Sequence, residues 1–287
     1  MLLRINLILL AAFALSMFAI SMVVTSMLQE NATREVLAQA GLMLDSAAAI
    51  RSYTETEVGP LLADKMVSAF PPQSIPFYAA TQNFLKLHKE HPDYAYKEAT
   101  LNPTNPRDRA TDWEADIVQR FRNDATTRQV TGVRDTPMGR TLFMARPIRV
   151  DPGCLSCHSL PSAAPATMLA RYGSDNGFGW QPNEIVGAQI ISVPLASAES
   201  SANRVRRGVL TAIAAMFASV LLIINAALYL LVIRPVRKIA RIADQLSLGD
   251  ASAEAFPNGG GREVAALATA FNRMRKSLDK ALRMLGS

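Results

Sequence analysis

Cys154, Cys157 and His158 stand within five positions of one another in DPGCLSCHSL, residues 151–160, and the 287-residue chain has no other cysteine. Three chemistries use such a set. A redox dithiol takes a Cys-x-x-Cys placed in a βαβ unit, and no such pattern surrounds residue 154. A structural zinc site takes four ligands. His88 and His91 are the only other imidazoles, and His158, adjacent to Cys157, is badly placed to close the same tetrahedron. The third chemistry is attachment of a c-type haem, for which Cys-x-x-Cys-His is the signature. Two thiols one helical turn apart add to the vinyl groups of one porphyrin, and the next imidazole ligates the iron. Each residue then has its own task. We expect one covalent haem c, fastened by Cys154 and Cys157, with its iron on His158. The dithiol, the zinc site and a strained disulfide stand as the alternatives.

A second thiolate on the iron is excluded, because the thioethers consume both cysteines. The donors for the sixth position are His88, His91, Met66 and Met144, or the position is open. Two strong protein ligands favour electron transfer or redox sensing, and an open position favours gas binding. Haem propionates are carboxylates, which arginine recognises. Of Arg140, Arg146 and Arg149, which precede the motif, we single out Arg146 for that role. Gly177, Gly179 and Trp180 in GFGW either pack against a flat ligand or form a tight turn with a core Trp.

These residues must be positioned by the rest of the chain. Residues 5–29 and 208–233 are two long uncharged runs, each exceeding the roughly 20 apolar residues a transmembrane helix needs. The first is too long for a signal-peptide core and lacks a clean cleavage site, so we expect an uncleaved anchor. Net charge is +6, and residues 234–287 carry ten Lys/Arg against five Asp/Glu. Basic residues flank the second span on both sides, more densely after it. The positive-inside rule then places both termini in the cytoplasm and residues 30–206 in the periplasm of a bacterial inner-membrane protein. Haem c is attached outside the cytoplasmic membrane, so topology and motif agree.

Between the spans the pattern is mixed. Residues 29–58 repeat apolar positions at three- and four-residue steps, which predicts an amphipathic helix, paired with its copy or buried on its own domain. Three prolines break the pattern at 70–78. Helices follow at 79–91 and 110–124, and strands at 93–101, 128–135, 140–150 and 185–195, the middle two joined by a hairpin containing Gly139. The fold class is α+β.

After 233, Pro235, Ile239, Ile242 and Leu246 make one short seam. Val264, Leu267, Phe271, Met274, Leu278, Ala281 and Leu285 make another, stepping three and four. A Gly-rich connector joins them. Such seams predict a dimeric four-helix bundle. The basic tail lacks interleaved aromatics, so nucleic acid is not a partner. No Walker loop, Ser-His-Asp set or dinucleotide fingerprint occurs, and we expect no enzyme.

The blocks PPQSIPFYAA, DYAYKEATLNPTNPRDRATDWE, CLSCH and GFGWQPNEIVGAQIISVP resemble the periplasmic single-haem c-type sensor domain, a PAS-like family, over roughly residues 35–197. The tail resembles a HAMP linker. Pro235 matches its proline, Gly249-Asp250 its first helix end, Glu263 the acidic start of its second helix, and Ala270 to Met274 the following AFNRM. Arg262-Glu263 departs from the usual Asp-Glu pair. The resemblance implies a PAS-like antiparallel-sheet sensor domain at 30–206 between two transmembrane helices, with a HAMP-like dimeric bundle at 234–287. It implies a homodimeric membrane sensor that passes a redox or diatomic-gas signal to a cytoplasmic partner, such as a kinase or a chemoreceptor-type output protein. The chain stops after the bundle, so we expect either a separate output protein that docks on it or a truncated relative of the family. The alternative is a membrane-anchored cytochrome c that transfers electrons to a redox partner.

Overall fold

Period-two alternation of apolar and polar residues organises the stretch between the two long apolar runs. The computed structural model describes residues 2–137, 139–248, 254–255 and 261–285, in two units, Val24–Val205 and Met1–Val23 with Arg206–Ser287. The elements in chain order are α1 (Leu2–Tyr53), α2 (Pro76–Glu90), β1 (Ala95–Thr100), α3 (Asp112–Asn123), β2 (Val130–Thr136), β3 (Gly139–Arg149), α4 (Leu155–His158), α5 (Ala166–Tyr172), β4 (Ile185–Pro194), α6 (Ala196–Leu228), α7 (Arg234–Ser247) and α8 (Arg262–Leu285). The four strands form one antiparallel sheet in the order β1-β4-β3-β2. The architecture is α+β, as expected, and the strands begin and end within two residues of their expected limits.

In the unit Val24–Val205 each sheet face has its own core. On one face Leu142 and Met144 of β3 and Ile191 and Val193 of β4 pack with Val36, Ala40, Leu44 and Ala47 of α1 and Phe84 of α2. The intervening residues Phe143, Ala145, Ala188 and Ile190 pack on the other face with Ile117, Val118 and Phe121 of α3. Side chains along a strand alternate between faces, so one register fixes both cores. Helix α1 therefore buries its apolar stripe on its own domain. It runs unbroken to Tyr53 and continues as a π-helical segment, Thr54–Val58. Helix α3 starts at a Thr111–Glu114 cap, where the Glu114 carboxylate accepts the Thr111 N–H at 2.8 Å and pairs with Lys97 at 2.7 Å.

The same alternation places a polar row on the α1 face. Glu98 of β1 and Arg146 of β3 are both register partners of Gln189 of β4. Asp45 of α1 pairs with Arg146 at 2.6 Å. Three polar residues in a row interrupt an otherwise apolar surface, and the cavity described below opens there.

In the other unit, α1 and α6 each contain a stretch long and apolar enough to cross a membrane, with side chains such as Leu7, Phe18, Leu222 and Ile223 exposed. Phe13 and Phe217 stack with ring centroids 3.8 Å apart, and Asn6 and Asn225 exchange amide hydrogen bonds of 2.9 and 3.0 Å. A π-helical turn, Tyr229–Ile233, joins α6 to α7. Ile239 and Ile242 of α7 pack against Val264, Ala268 and Phe271 of α8. Ala268 replaces Leu267 in this contact, because the packing follows a four-residue step from Val264. Leu267 and Met274 stay exposed within the protomer. The helix end at Gly249-Asp250, most of the connector, and the side chains of Leu278, Ala281 and Leu285 lie outside the described residues.

Candidate functional site

The end of β3 delivers the chain to the site. Ile148 and Val150 are buried with Val186 of β4, and Phe77, Cys154, Leu155 and Trp180 pack against them. The chain then winds into α4. Asp151 receives the Cys154 N–H at 3.1 Å, and the His158 N–H donates to the Cys154 carbonyl at 3.0 Å. Residues 154, 157 and 158 are thus i, i+3 and i+4 of one turn, the spacing that puts side chains on a common face. Both thiols are free and half-buried. With His158 they line one cavity of about 840 Å³, within the size range of cofactor pockets.

The imidazole of His158 is fixed from two sides. Its Nδ1 lies 2.7 Å from the Gly177 carbonyl, and its ring stacks on Trp180 with centroids 4.1 Å apart and planes 13° from parallel. A carbonyl only accepts, so Nδ1 carries the proton and Nε2 keeps its lone pair. Burial lowers the His158 pKa, which keeps the ring neutral. A neutral ring with Nδ1 bound to a carbonyl is in the tautomer that leaves the Nε2 lone pair able to ligate a metal. The loop is tied down as well, since the Trp180 N–H donates to the His158 carbonyl at 3.2 Å. Gly177 has φ +82°, and a Cβ there would lie 2.8 Å from the Thr104 backbone nitrogen. Only glycine fits this approach.

Burial, with the Asp151 carboxylate adding to it, pushes the Cys154 thiol up to about 11. A dithiol nucleophile needs a depressed pKa, so the electrostatics run against the redox-dithiol alternative. Among the described residues no cluster of three His, Cys, Asp or Glu forms a metal cage. The arrangement presents two thiols and one imidazole lone pair from a single turn, beside an apolar wall.

The donors expected for a sixth position are scattered. Met66 lines the cavity. Met144 does not; it sits on the same face of β3 as Arg146 but is buried in the core under α1. His88 and His91 do not line it either. His88, in the last turn of α2, has its Nδ1 2.7 Å from the carbonyl of Tyr94, just before β1, and His91 packs edge-on against Tyr94. Arg146 lines the cavity but is engaged by Asp45 and Gln129.

Three lining residues carried no local motif. Arg51 comes from the C-terminal turn of α1, Glu98 from β1 and Gln189 from β4. Gln189 was the visible signal, a polar residue inside the apolar run IVGAQIIS. Glu98 is 5% exposed. Its carboxyl accepts from the Tyr96 hydroxyl, and burial raises its pKa to about 8, against the opposing pull of Tyr96 and Arg51. A carboxyl raised from 4.5 to about 8 stays protonated in the fold at neutral pH. Its stabilising contribution is complete below pH 4.5 and is lost as pH rises through 8. Glu98→Gln should therefore flatten the fall of melting temperature between pH 5 and 9, a fall worth up to about 1.4 kcal/mol per pH unit. Parallel melting profiles for the two proteins would refute a buried titrating carboxyl.

Comparison with known proteins gives two family matches. The Tll0287-like model matches residues 29–194 and the HAMP domain model residues 227–280. A crystal structure of a cyanobacterial haem protein, Tll0287, aligns at a TM-score of 0.43 and 15% identity over 56% of this chain and 95% of that one. No curated protein matches.

Proposed function

We propose that this chain, which belongs to the Tll0287-like family and carries a HAMP domain after it, is a membrane-anchored haem c sensor. It passes a redox or diatomic-gas signal from a periplasmic PAS-like domain through the second span to a cytoplasmic output protein. One observation carries the proposal: Cys154, Cys157 and His158 share one face of a helical turn on a cavity wall, with Nδ1 of His158 committed to Gly177.

The residues present fit such a group. The thiols are unpaired, the imidazole offers Nε2, and Ile148, Val150, Val186 and Trp180 give a flat-sided apolar wall. When bound, the haem supplies a redox-active iron whose sixth position is exchangeable or protein-ligated. Cys154 and Cys157 would fasten the ring and His158 would hold its metal, with Gly177 and Trp180 fixing the imidazole plane. Of the four candidate donors for the opposite side we carry forward Met66, since it alone lines the cavity. A methionine ligand would raise the potential of such a group. Met66→Ala should lower the midpoint potential and open the iron to CO; an unchanged potential would leave the sixth position without a methionine.

The signalling part of the proposal rests on the HAMP domain, which implies a dimeric signalling context. Leu267 and Met274, exposed on α8 within the protomer, are the apolar positions a second copy would cover. Removal of residues 234–287 should abolish the cellular response to redox change or gas while the haem spectrum stays intact. A truncated protein that still supports the response, with electron transfer preserved, would favour the electron-carrier alternative.

A further inference from the structure

The cavity has a second, polar wall that the haem-attachment motif does not use. Arg51 reaches it from α1, Gln189 from β4 and Glu98 from β1. The Arg51 guanidinium lies over the Phe77 ring at 4.8 Å. The Gln189 amide, oriented to satisfy its neighbours, accepts from Arg51 Nη2 at 2.7 Å. Arg51 Nε is buried and has no hydrogen-bond partner among the described residues. The other arginines on the cavity are engaged: Arg107 by Asp108 at 3.2 Å, Arg146 by Asp45, and Arg149 by the Asn183 and Ala125 carbonyls. Arg51 alone among these four holds its charge against a neutral amide and an aromatic face.

We propose that Arg51, Gln189 and Glu98 form a carboxylate-binding subsite in the cavity wall. The Arg51 side chain is half-buried, and its Nε–H is shut off from water without a partner; an anion seated against the guanidinium would supply that missing acceptor. The planar fork of arginine matches the two oxygens of a carboxylate. Glu98 accepts from Tyr96 on one oxygen. In its protonated form it offers an O–H to the same ligand, as a neutral carboxyl does to a carboxylate. A singly charged ligand suits a wall that also carries Glu55 and Asp108, which would repel a dianion. Two sources supply this chemistry: a propionate of the haem itself, or a small free carboxylate. The first source rests on the haem reading and the second does not.

The test uses the full chain in detergent, as wild type, Arg51→Gln and the charge-keeping Arg51→Lys. Acetate is titrated against chloride at equal ionic strength while melting temperature is followed, and resonance Raman spectra are recorded. If a free carboxylate is the ligand, acetate raises the wild-type melting temperature. Losing a charge-assisted hydrogen bond then weakens acetate about tenfold or more in Arg51→Gln, and less in Arg51→Lys. If the propionate is the ligand, acetate has no effect, and the propionate bending band shifts in Arg51→Gln with haem content unchanged. Indifference to acetate together with an unshifted band would overturn the subsite. A wild-type protein without any haem chromophore would sink the haem reading alone, because the acetate melts still report on Arg51.

Discussion

Cys154→Ser with Cys157→Ser should yield a folded protein from which all haem is removed by acid–organic extraction, whereas the wild type should keep its haem through denaturation. The reason is local. Both thiols stand on one turn of α4, half-buried on the cavity wall and free of each other. Serine keeps the volume and the helical turn but cannot form a thioether. The cores on the two sheet faces lie elsewhere, in residues such as Leu44, Phe121 and Ile191, so melting of the apoprotein should change by less than about 1 kcal/mol, as expected away from packed cores. Each single variant should retain one thioether and hence covalent haem with a shifted spectrum. If the double variant keeps haem through denaturation, attachment does not run through α4.

Gly177→Ala should give the second large effect, and through a different physical route. The position has φ +82°, and an added Cβ would collide with the Thr104 backbone and hydroxyl. Left-handed backbone costs a non-glycine residue about 1–2 kcal/mol, and overpacking adds about 1–3 kcal/mol. The Gly177 carbonyl also holds Nδ1 of His158, so relief of the clash moves the group that fixes the imidazole. A melt lowered by an amount matching about 2–5 kcal/mol should accompany a weakened iron–histidine bond, read as a shifted iron–imidazole stretch. A lowered melt with an unshifted stretch would reduce Gly177 to a packing position.

The sheet was legible in the chain because its strands carry period-two alternation. Leu142/Met144 against Phe143/Ala145 is enough to assign both faces of β3. The turn at 154–158 was legible because Cys154, Cys157 and His158 are sequence neighbours, and helical spacing follows from their numbering. Arg51 was not, since nothing near it in α1 distinguishes it from an exposed arginine. It gains its place only when β1 and β4 pair and bring Glu98 and Gln189 beneath it. The expected donors His88 and His91 illustrate the converse. Their side-chain type suggested a ligand, yet the connection between α2 and β1 gives His88 the Tyr94 carbonyl to bind. The π-helical segments Thr54–Val58 and Tyr229–Ile233 likewise left no trace in the hydrophobic period, because each inserts into an otherwise continuous helix.

The central claim is that the turn at 154–158 carries covalent haem with His158 on the iron. It is tested most directly on the full chain, produced in a cell competent for cytochrome c maturation and purified in detergent. Intact mass and the reduced pyridine adduct spectrum are measured on one sample. We predict one haem per chain that survives denaturation, with a spectrum indicating that both vinyl groups are saturated. A polypeptide of unmodified mass with no Soret absorption would contradict it.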